Sequence, residues 1–284
     1  MNSGFYLING STKDAVNASD RAIQFGDGLF ETICIDRGQA RHLHRHMTRL
    51  RNGCSRLRLE GVDFGSLQEQ LQALARQAKE GVVKLIVSRG NSTRGYRIVS
   101  GQLPTVILGL HPLSRYAADL QTNGIRTRIC KLRLSLQPAL AGIKHLNRLE
   151  QVLARSEWDD EAILEGLLLD TRERLVEGTM SNLFLVRNGE LHTADLQDCG
   201  VSGVMRSVII DVSKTMGIDT RITTLSLDDM ARADEVFVCN CVTGILPVRQ
   251  VAGVCEHFVG PVTRKLIHTV EHWDDDGNEH WYSS

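Results

Sequence analysis

Lys144 stands in the run Gly142-Ile143-Lys144-His145-Leu146-Asn147-Arg148-Leu149-Glu150-Gln151, and no other charge lies between it and Arg133. Leu146, Leu149, Val152 and Leu153 follow at helical spacing, so the lysine falls just before a helix that the pattern carries to about Trp158. An apolar setting and the neighbouring cations His145 and Arg148 each favour a neutral amine, the form that attacks a carbonyl to make an imine. By itself such a residue is most simply a solvated lysine at a helix start. Other parts of the chain argue for more.

Glu177 lies in Val176-Glu177-Gly178-Thr179-Met180-Ser181-Asn182, at a strand end among apolar and small polar residues. A carboxylate placed there needs a cationic or protonated partner. Gly200-Val201-Ser202-Gly203-Val204-Met205-Arg206 opens a helix whose face is Val204, Val208, Ile209 and Val212. Its glycine-rich entry gathers backbone N–H groups and the positive end of the helix dipole, which suits a phosphate. Asn240-Cys241-Val242-Thr243-Gly244 is a second small-residue turn able to present N–H groups. Leu43, Met47, Leu50, Cys54 and Leu57 mark one buried face of a helix on which His46 and Arg49 are neighbours. These parts match the needs of pyridoxal 5'-phosphate: a Schiff-base lysine, a carboxylate to keep the ring nitrogen protonated, and turns with an arginine to hold the phosphate.

Other patterns carry less. His42-x-His44-x-His46 would share a face on a strand, but the helical period begins at Leu43 and fans the three apart, which argues against a metal site. Cys239-x-Cys241 lacks the second pair of a zinc site. Gly26-Asp27-Gly28 turns the chain tightly, yet it precedes no helix and lacks the third glycine of a dinucleotide fingerprint. The loop Arg89-Gly90-Asn91-Ser92-Thr93-Arg94-Gly95-Tyr96 can offer guanidinium groups to carboxylates.

The elements that must position these residues alternate without a steady βαβ rhythm, which predicts an α+β fold. Strands are expected at Phe5 to Ile8, Phe30 to Ile35, Val82 to Ser88 and Thr105 to Leu110, with helices from Leu43 and from Ser66, the latter opened by a Ser66-to-Glu69 capping box. The weakly patterned stretch around 118–124 divides a smaller α/β domain at 1–117 from a larger one at 125–284 that carries Lys144. In the second part, strands are expected at 125–132, 164–169 and 236–239, a hairpin turn at Asn188-Gly189, a capped short helix at Ser226 to Asp229, and a last helix at Pro261 to Val270. The tail from Trp273 reads as polar and loose.

Composition narrows the class of function. A net charge of −1 with no basic or acidic block disfavours nucleic-acid and membrane-surface binding, and 5% aromatic content disfavours base-stacking platforms. No run approaches ~18 apolar residues, so no membrane span is expected. Seven cysteines, an odd number, and an opening that reads as a first strand rather than a targeting segment predict reduced thiols and a cytoplasmic protein.

Four motifs together carry a resemblance: Asp20-Arg21-x4-Gly26-Asp27-Gly28-x-Phe30-Glu31, Lys144-x2-Asn147-Arg148, Glu177-Gly178-x2-Ser181-Asn182 and Gly203-Val204-x-Arg206. From about Phe5 to Thr269 the chain resembles the fold-type IV pyridoxal-phosphate enzymes, a D-amino acid aminotransferase-like fold of two α/β domains with the site between them. The resemblance implies that Lys144 is the Schiff-base lysine and proton carrier, and that Glu177 pairs with the ring nitrogen. It implies a phosphate held by Arg49, Gly203, Val204, Asn240 and Cys241, although other members have small hydroxyl residues where Asn240 and Cys241 stand. It also implies a homodimer with site residues shared across the interface.

Within that group the run from Gly142 to Gln151, the loop Ser88-Arg89-Gly90-x3-Arg94-Gly95-Tyr96 and the pair Cys239-Asn240 look most like aminodeoxychorismate lyase. D-amino acid aminotransferases tend to carry Arg-x-His in that loop and Tyr at the position of Phe30. The expected reaction turns 4-amino-4-deoxychorismate into 4-aminobenzoate, a folate precursor, and pyruvate through an aldimine, with Arg94, Tyr96 and Phe30 near the substrate. D-amino acid or branched-chain transamination is the alternative within the family, and a non-catalytic binder on the same scaffold is disfavoured by the presence of both Lys144 and Glu177.

Overall fold

The computed structural model describes residues 5–12, 15–113 and 119–273, so the polar tail expected after Trp273 lies outside the described residues from 274 onward. The chain forms two compact units, one of Met1–Ser114 with Ile143–Asn147, the other of Arg115–Gly142 with Arg148–Ser284. By sequence position Lys144 falls in the larger part; by contacts its five-residue segment groups with the smaller unit, and α4 at Asp119–Asn123, in the expected connection, groups with the larger.

The first unit is built on β1 (Phe5–Ile8), β2 (Ser11–Thr12), β3 (Gly28–Asp36), β4 (Gln39–Ala40), β5 (Gly81–Ser88) and β6 (Thr105–His111). They form one antiparallel sheet in the order β2-β1-β6-β5-β3-β4. β3 buries Leu29, Glu31, Ile33 and Ile35 at period two, the pattern of a strand with one face on the core. Helices α1 (Arg21–Phe25), α2 (Leu43–Leu57) and α3 (Phe64–Ala78) complete the unit. Leu43, Met47, Leu50 and Cys54 are buried on α2 as their spacing requires. α3 starts two residues earlier than its expected box: Asp63 caps it by accepting from the Ser66 N–H, because a carboxylate there outcompetes the serine for the first-turn donors.

In the second unit the elements after α4 are β7 (Ile125–Leu134), α5 (Leu149–Arg155), β8 (Ile163–Asp170), β9 (Leu175–Gly178), β10 (Asn182–Arg187), β11 (Glu190–Ala194), α6 (Val204–Thr215), β12 (Thr220–Thr223), α7 (Leu227–Ala231), β13 (Glu235–Asn240), β14 (Gly244–Val251), β15 (Cys255–Glu256) and α8 (Pro261–Glu271). The sheet order is β12-β11-β10-β13-β14-β7-β8-β9, and β9 also pairs β10, so the path closes on itself. Closure satisfies the backbone groups that an open edge would leave to water. β8, β9 and β10 are buried on nearly every residue, which explains their continuous apolar runs.

The helix after Lys144 is shorter than its apolar spacing suggests. Residues 144–146 extend along β3 instead: Phe30 N–H donates to Lys144 O at 2.9 Å, Leu146 N–H to Gly28 O at 3.0 Å, and His145 bridges Leu29. Only from Leu149 does the chain coil, and there Leu149, Val152 and Leu153 are 75%, 60% and 59% exposed.

Candidate active site

Each unit assembles part of the candidate set. In the first, the strand-like path of residues 144–146 follows from two close approaches. Asn147 Nδ2 donates to Gly26 O at 3.1 Å, and a Cβ on Gly26 would come within 2.5 Å of the Asn147 side chain. Gly26 also takes a left-handed φ of 63° as the cap of α1. The Gly26-Asp27-Gly28 turn and the Asn147 of the lysine motif are therefore one clamp, and it fixes where Lys144 emerges. Lys144 Nζ lies 4.5 Å from the centre of the Phe30 ring, and Lys84 Nζ lies 3.8 Å from the same ring. Lys84, which sequence reasoning passed over, is pushed to lower pKa by burial.

Arg49 and His46 meet as helical neighbours, on a residue the motif contains but whose role the spacing does not reveal. Glu31 on β3 accepts from Arg49 Nε at 2.8 Å and pairs with Arg49 Nη2, and its Oε2 lies 2.6 Å from His46 Nδ1. Burial alone would raise this carboxyl, but the Arg49 charge and the bonds from His46 and Arg49 hold it down at about 2. The forked grip fixes the Arg49 guanidinium at a set angle on α2, as holding an anion in a fixed place would require.

Arg94 and Tyr96 lie on the exposed loop after β5, Tyr96 with 83% of its surface accessible. Arg89 of the same motif does not share their exposure. It is buried, bonded to Asp27 at 2.8 and 2.9 Å and to the carbonyls of Leu57 and Arg58, each at 2.7 Å.

In the second unit two motifs come together around Val201. Glu177, buried on β9, accepts from the Val201 N–H at 2.8 Å, and Asn182 Nδ2 donates to the Val201 carbonyl at 2.9 Å. Gly203 packs so closely on Asn182 that a Cβ would fall 1.9 Å from its Oδ1. Gly203 is the N-cap of α6 and offers no side chain to the first-turn N–H groups. Burial pushes the Arg148 guanidinium down in pKa while Glu177 and Glu150 pull it up, which places a cation in the field of the candidate carboxylate. Arg206 of the α6 motif is spent on structure: it donates to Thr193 Oγ1 at 3.1 Å and to Ala194 O at 2.9 Å.

Cys239 on β13 pairs with Asn182 on β10, which brings the Asn240-to-Gly244 turn beside the same cluster. Asn240 Oδ1 accepts from the N–H groups of Val242 and Thr243, both at 2.8 Å. Its side chain thus shapes the turn, and Cys241 is half-buried in it. A small pocket is lined by Glu165, Met180, Ser181, Asn240 and Thr243 among others. Glu165 is a second buried carboxylate that the spacing did not single out. It accepts from Thr179 N and Oγ1 at 2.9 and 2.6 Å, from Ser181 Oγ at 2.6 Å and from Gly166 N at 2.9 Å, which sets the turn next to Glu177. An uncapped helix start where no Cβ fits, next to a buried carboxylate, suits a phosphate-bearing pyridine cofactor.

The chain belongs to the amino-transferase class IV family, whose model matches residues 28–251. Aminodeoxychorismate lyase of Vibrio harveyi is 31% identical over 264 residues, 92% of this chain and 97% of that protein. A crystal structure of 4-amino-4-deoxychorismate lyase from Pseudomonas aeruginosa is 43% identical, with a TM-score of 0.91 over 94% of this chain and 98% of that one. D-alanine aminotransferase of Bacillus licheniformis is 26% identical over 273 residues, 92% of this chain and 93% of that protein. The α+β fold is thus of fold type IV, the fold of pyridoxal-phosphate enzymes.

Proposed function

We propose that the protein converts 4-amino-4-deoxychorismate to 4-aminobenzoate and pyruvate. One observation carries the reading: likeness to the Pseudomonas aeruginosa lyase at 43% identity extends over 94% of this chain. The D-alanine aminotransferase matches a similar length at 26%.

Bound pyridoxal phosphate draws electrons from the carbon that bears the substrate amine. Lys144 takes the proton from that carbon as general base. The ring gains a double bond, the carbon–oxygen bond to the enolpyruvyl group breaks, and the same lysine returns a proton to the departing methylene carbon. Atoms balance without water or a keto acid. Glu177 holds the pyridine nitrogen protonated. Arg49, Gly203, Val204, Asn240 and Cys241 hold the phosphate, the last two chiefly through backbone because the Asn240 side chain is engaged within its own turn. Arg94 and Tyr96 recognise the substrate carboxylates, and Phe30 forms a wall beside the lysine.

The protein acts as a cytoplasmic homodimer. The exposed apolar row Leu149, Val152 and Leu153 supports a second copy covering α5, and among the described residues no helix is long and apolar enough to cross a membrane.

The test is to follow pyruvate and 4-aminobenzoate together with cofactor-loaded protein and fresh aminodeoxychorismate. Equal formation of both without added keto acid is the expected outcome. Absence of both, with amino transfer from D-alanine or leucine to 2-oxoglutarate, would move the protein to the transaminase branch. Lys144→Ala is expected to abolish turnover and the visible absorption of the bound cofactor.

A further inference from the structure

Arg21 opens α1 and is only 3% exposed, yet it makes no contribution to the chemistry above. Its Nε donates to Asp27 Oδ2 at 2.7 Å. Its two other nitrogens turn outward to the candidate substrate loop. Nη1 donates to Gly95 O at 3.1 Å and lies 3.3 Å from Ser92 Oγ, and Nη2 lies 3.3 Å from Tyr96 O. The guanidinium also stacks 4.9 Å from the centre of the Phe25 ring, and Phe25 in turn meets the Tyr96 ring at 5.2 Å.

Asp27 is anchored from the other side. Arg89 grips it with two bonds and is itself bonded to the last carbonyls of α2, at Leu57 and Arg58. Burial would raise the Asp27 carboxyl, but the bonds and charges of Arg89 and Arg21 bring it below its ordinary value. A continuous line of charge-assisted bonds therefore runs from the end of a core helix through Arg89, Asp27 and Arg21 to the backbone on either side of Arg94 and Tyr96. Residues 93–101 are exposed and in no strand or helix, so no sheet ladder holds them. A planar fork reaches two carbonyls and a carboxylate from three separate nitrogens at fixed angles, whereas an ammonium's three donors sit on one nitrogen and do not span them.

We infer that Arg21 is a positioning residue for substrate specificity: it sets the backbone of loop 92–96 and so fixes where Arg94 and Tyr96 present themselves to the substrate's carboxylates. This rests on the reading of the loop given under Proposed function. Through this line Arg21 bears on how tightly a carboxylate-bearing substrate is held, while the proton transfers of Lys144 stay as they are.

The experiment compares wild-type holoenzyme with Arg21→Ala and Arg21→Lys. Arg21→Lys keeps a cation facing Asp27 and removes the fork, so it tests the inference even if the alanine variant folds poorly. Two readouts are taken: the rate of trypsin cleavage after Arg94 and Arg97, followed by mass spectrometry, and the steady-state constants for aminodeoxychorismate. In both variants cleavage in the loop is expected to rise about tenfold, and KM about tenfold with kcat changed less than about threefold, the pattern of lost uniform binding. Visible absorption of the bound cofactor is expected to stay as in the wild type. Wild-type cleavage rates in a folded Arg21→Lys would overturn the inference. So would faster cleavage with unchanged KM, since the loop would then be held for stability alone. Failure of the wild type to form 4-aminobenzoate would instead remove the substrate reading, and the cleavage arm would still decide whether Arg21 holds the loop.

Discussion

Glu31 in the first unit and Glu165 in the second are both almost fully buried, at 1% and 3% exposure, yet their surroundings drive them in opposite directions. Glu31 faces the Arg49 guanidinium and His46, and its carboxyl is held at about 2 despite burial. Glu165 is ringed by hydroxyl and backbone dipoles, and burial, partly offset by hydrogen bonds from Ser181 and Thr179, raises it above the ordinary carboxylate range. Four hydrogen-bond donors do not equal one cation, because a fixed charge acts at longer range than a dipole in a low-dielectric interior. The contrast suits their tasks. Glu31 fixes the Arg49 guanidinium, whereas Glu165 shapes the Thr179-to-Ser181 turn next to Glu177.

The sharpest way to break the comparison is Glu31→Gln. It leaves Arg49 buried without its counter-charge, and should cost about 3–5 kcal/mol in urea unfolding together with weaker phosphate binding. A loss below about 1 kcal/mol would show that Arg49 relaxes into water and that the pair does not fix it. The same pair predicts acid sensitivity. Its folded pKa lies below the unfolded value, so its stabilisation is present above about pH 4.5, and about 3 kcal/mol is lost as pH falls towards 2. Stability curves of wild type and Glu31→Gln that stay parallel over that range would count against it.

Gly178→Ala probes the other carboxylate by sterics. Its Cβ would meet Ser181 Oγ at 2.3 Å and Glu165 Cδ at 2.7 Å. Opening the turn should cost about 1–3 kcal/mol and loosen the cofactor. Unchanged cofactor affinity would separate the turn from the site. Glu165→Gln should be mildest, about 1 kcal/mol, since an amide keeps one acceptor and can donate to a rotated hydroxyl. Here the sign reverses. The folded pKa is raised, so the wild type's contribution is complete below the ordinary carboxylate range and declines as pH rises through the shifted value. The gap between wild type and Glu165→Gln should therefore narrow with rising pH. A constant gap would mean that Glu165 does not titrate as its surroundings imply.

Several tertiary facts were legible because they are local. The period of α2 placed His46 and Arg49 side by side, and the glycine-rich entry located the start of α6 at Gly203–Val204. The expected helix after Lys144 misled by four residues: the same apolar spacing that buries α2 leaves Leu149, Val152 and Leu153 exposed on α5. Periodicity reports that a face is apolar, and it does not say what covers that face.

The sequence by itself determined most element types and the family, because short-range spacing and rare residue combinations carry them. Tertiary structure alone decided the partners. Glu31 with Arg49 lies 18 residues apart in the chain, Arg21 with Gly95 74, and Asn147 with Gly26 121. Contacts of that range depend on which strands pair and where the chain turns, and those follow from burial of the whole sheet rather than from any local pattern.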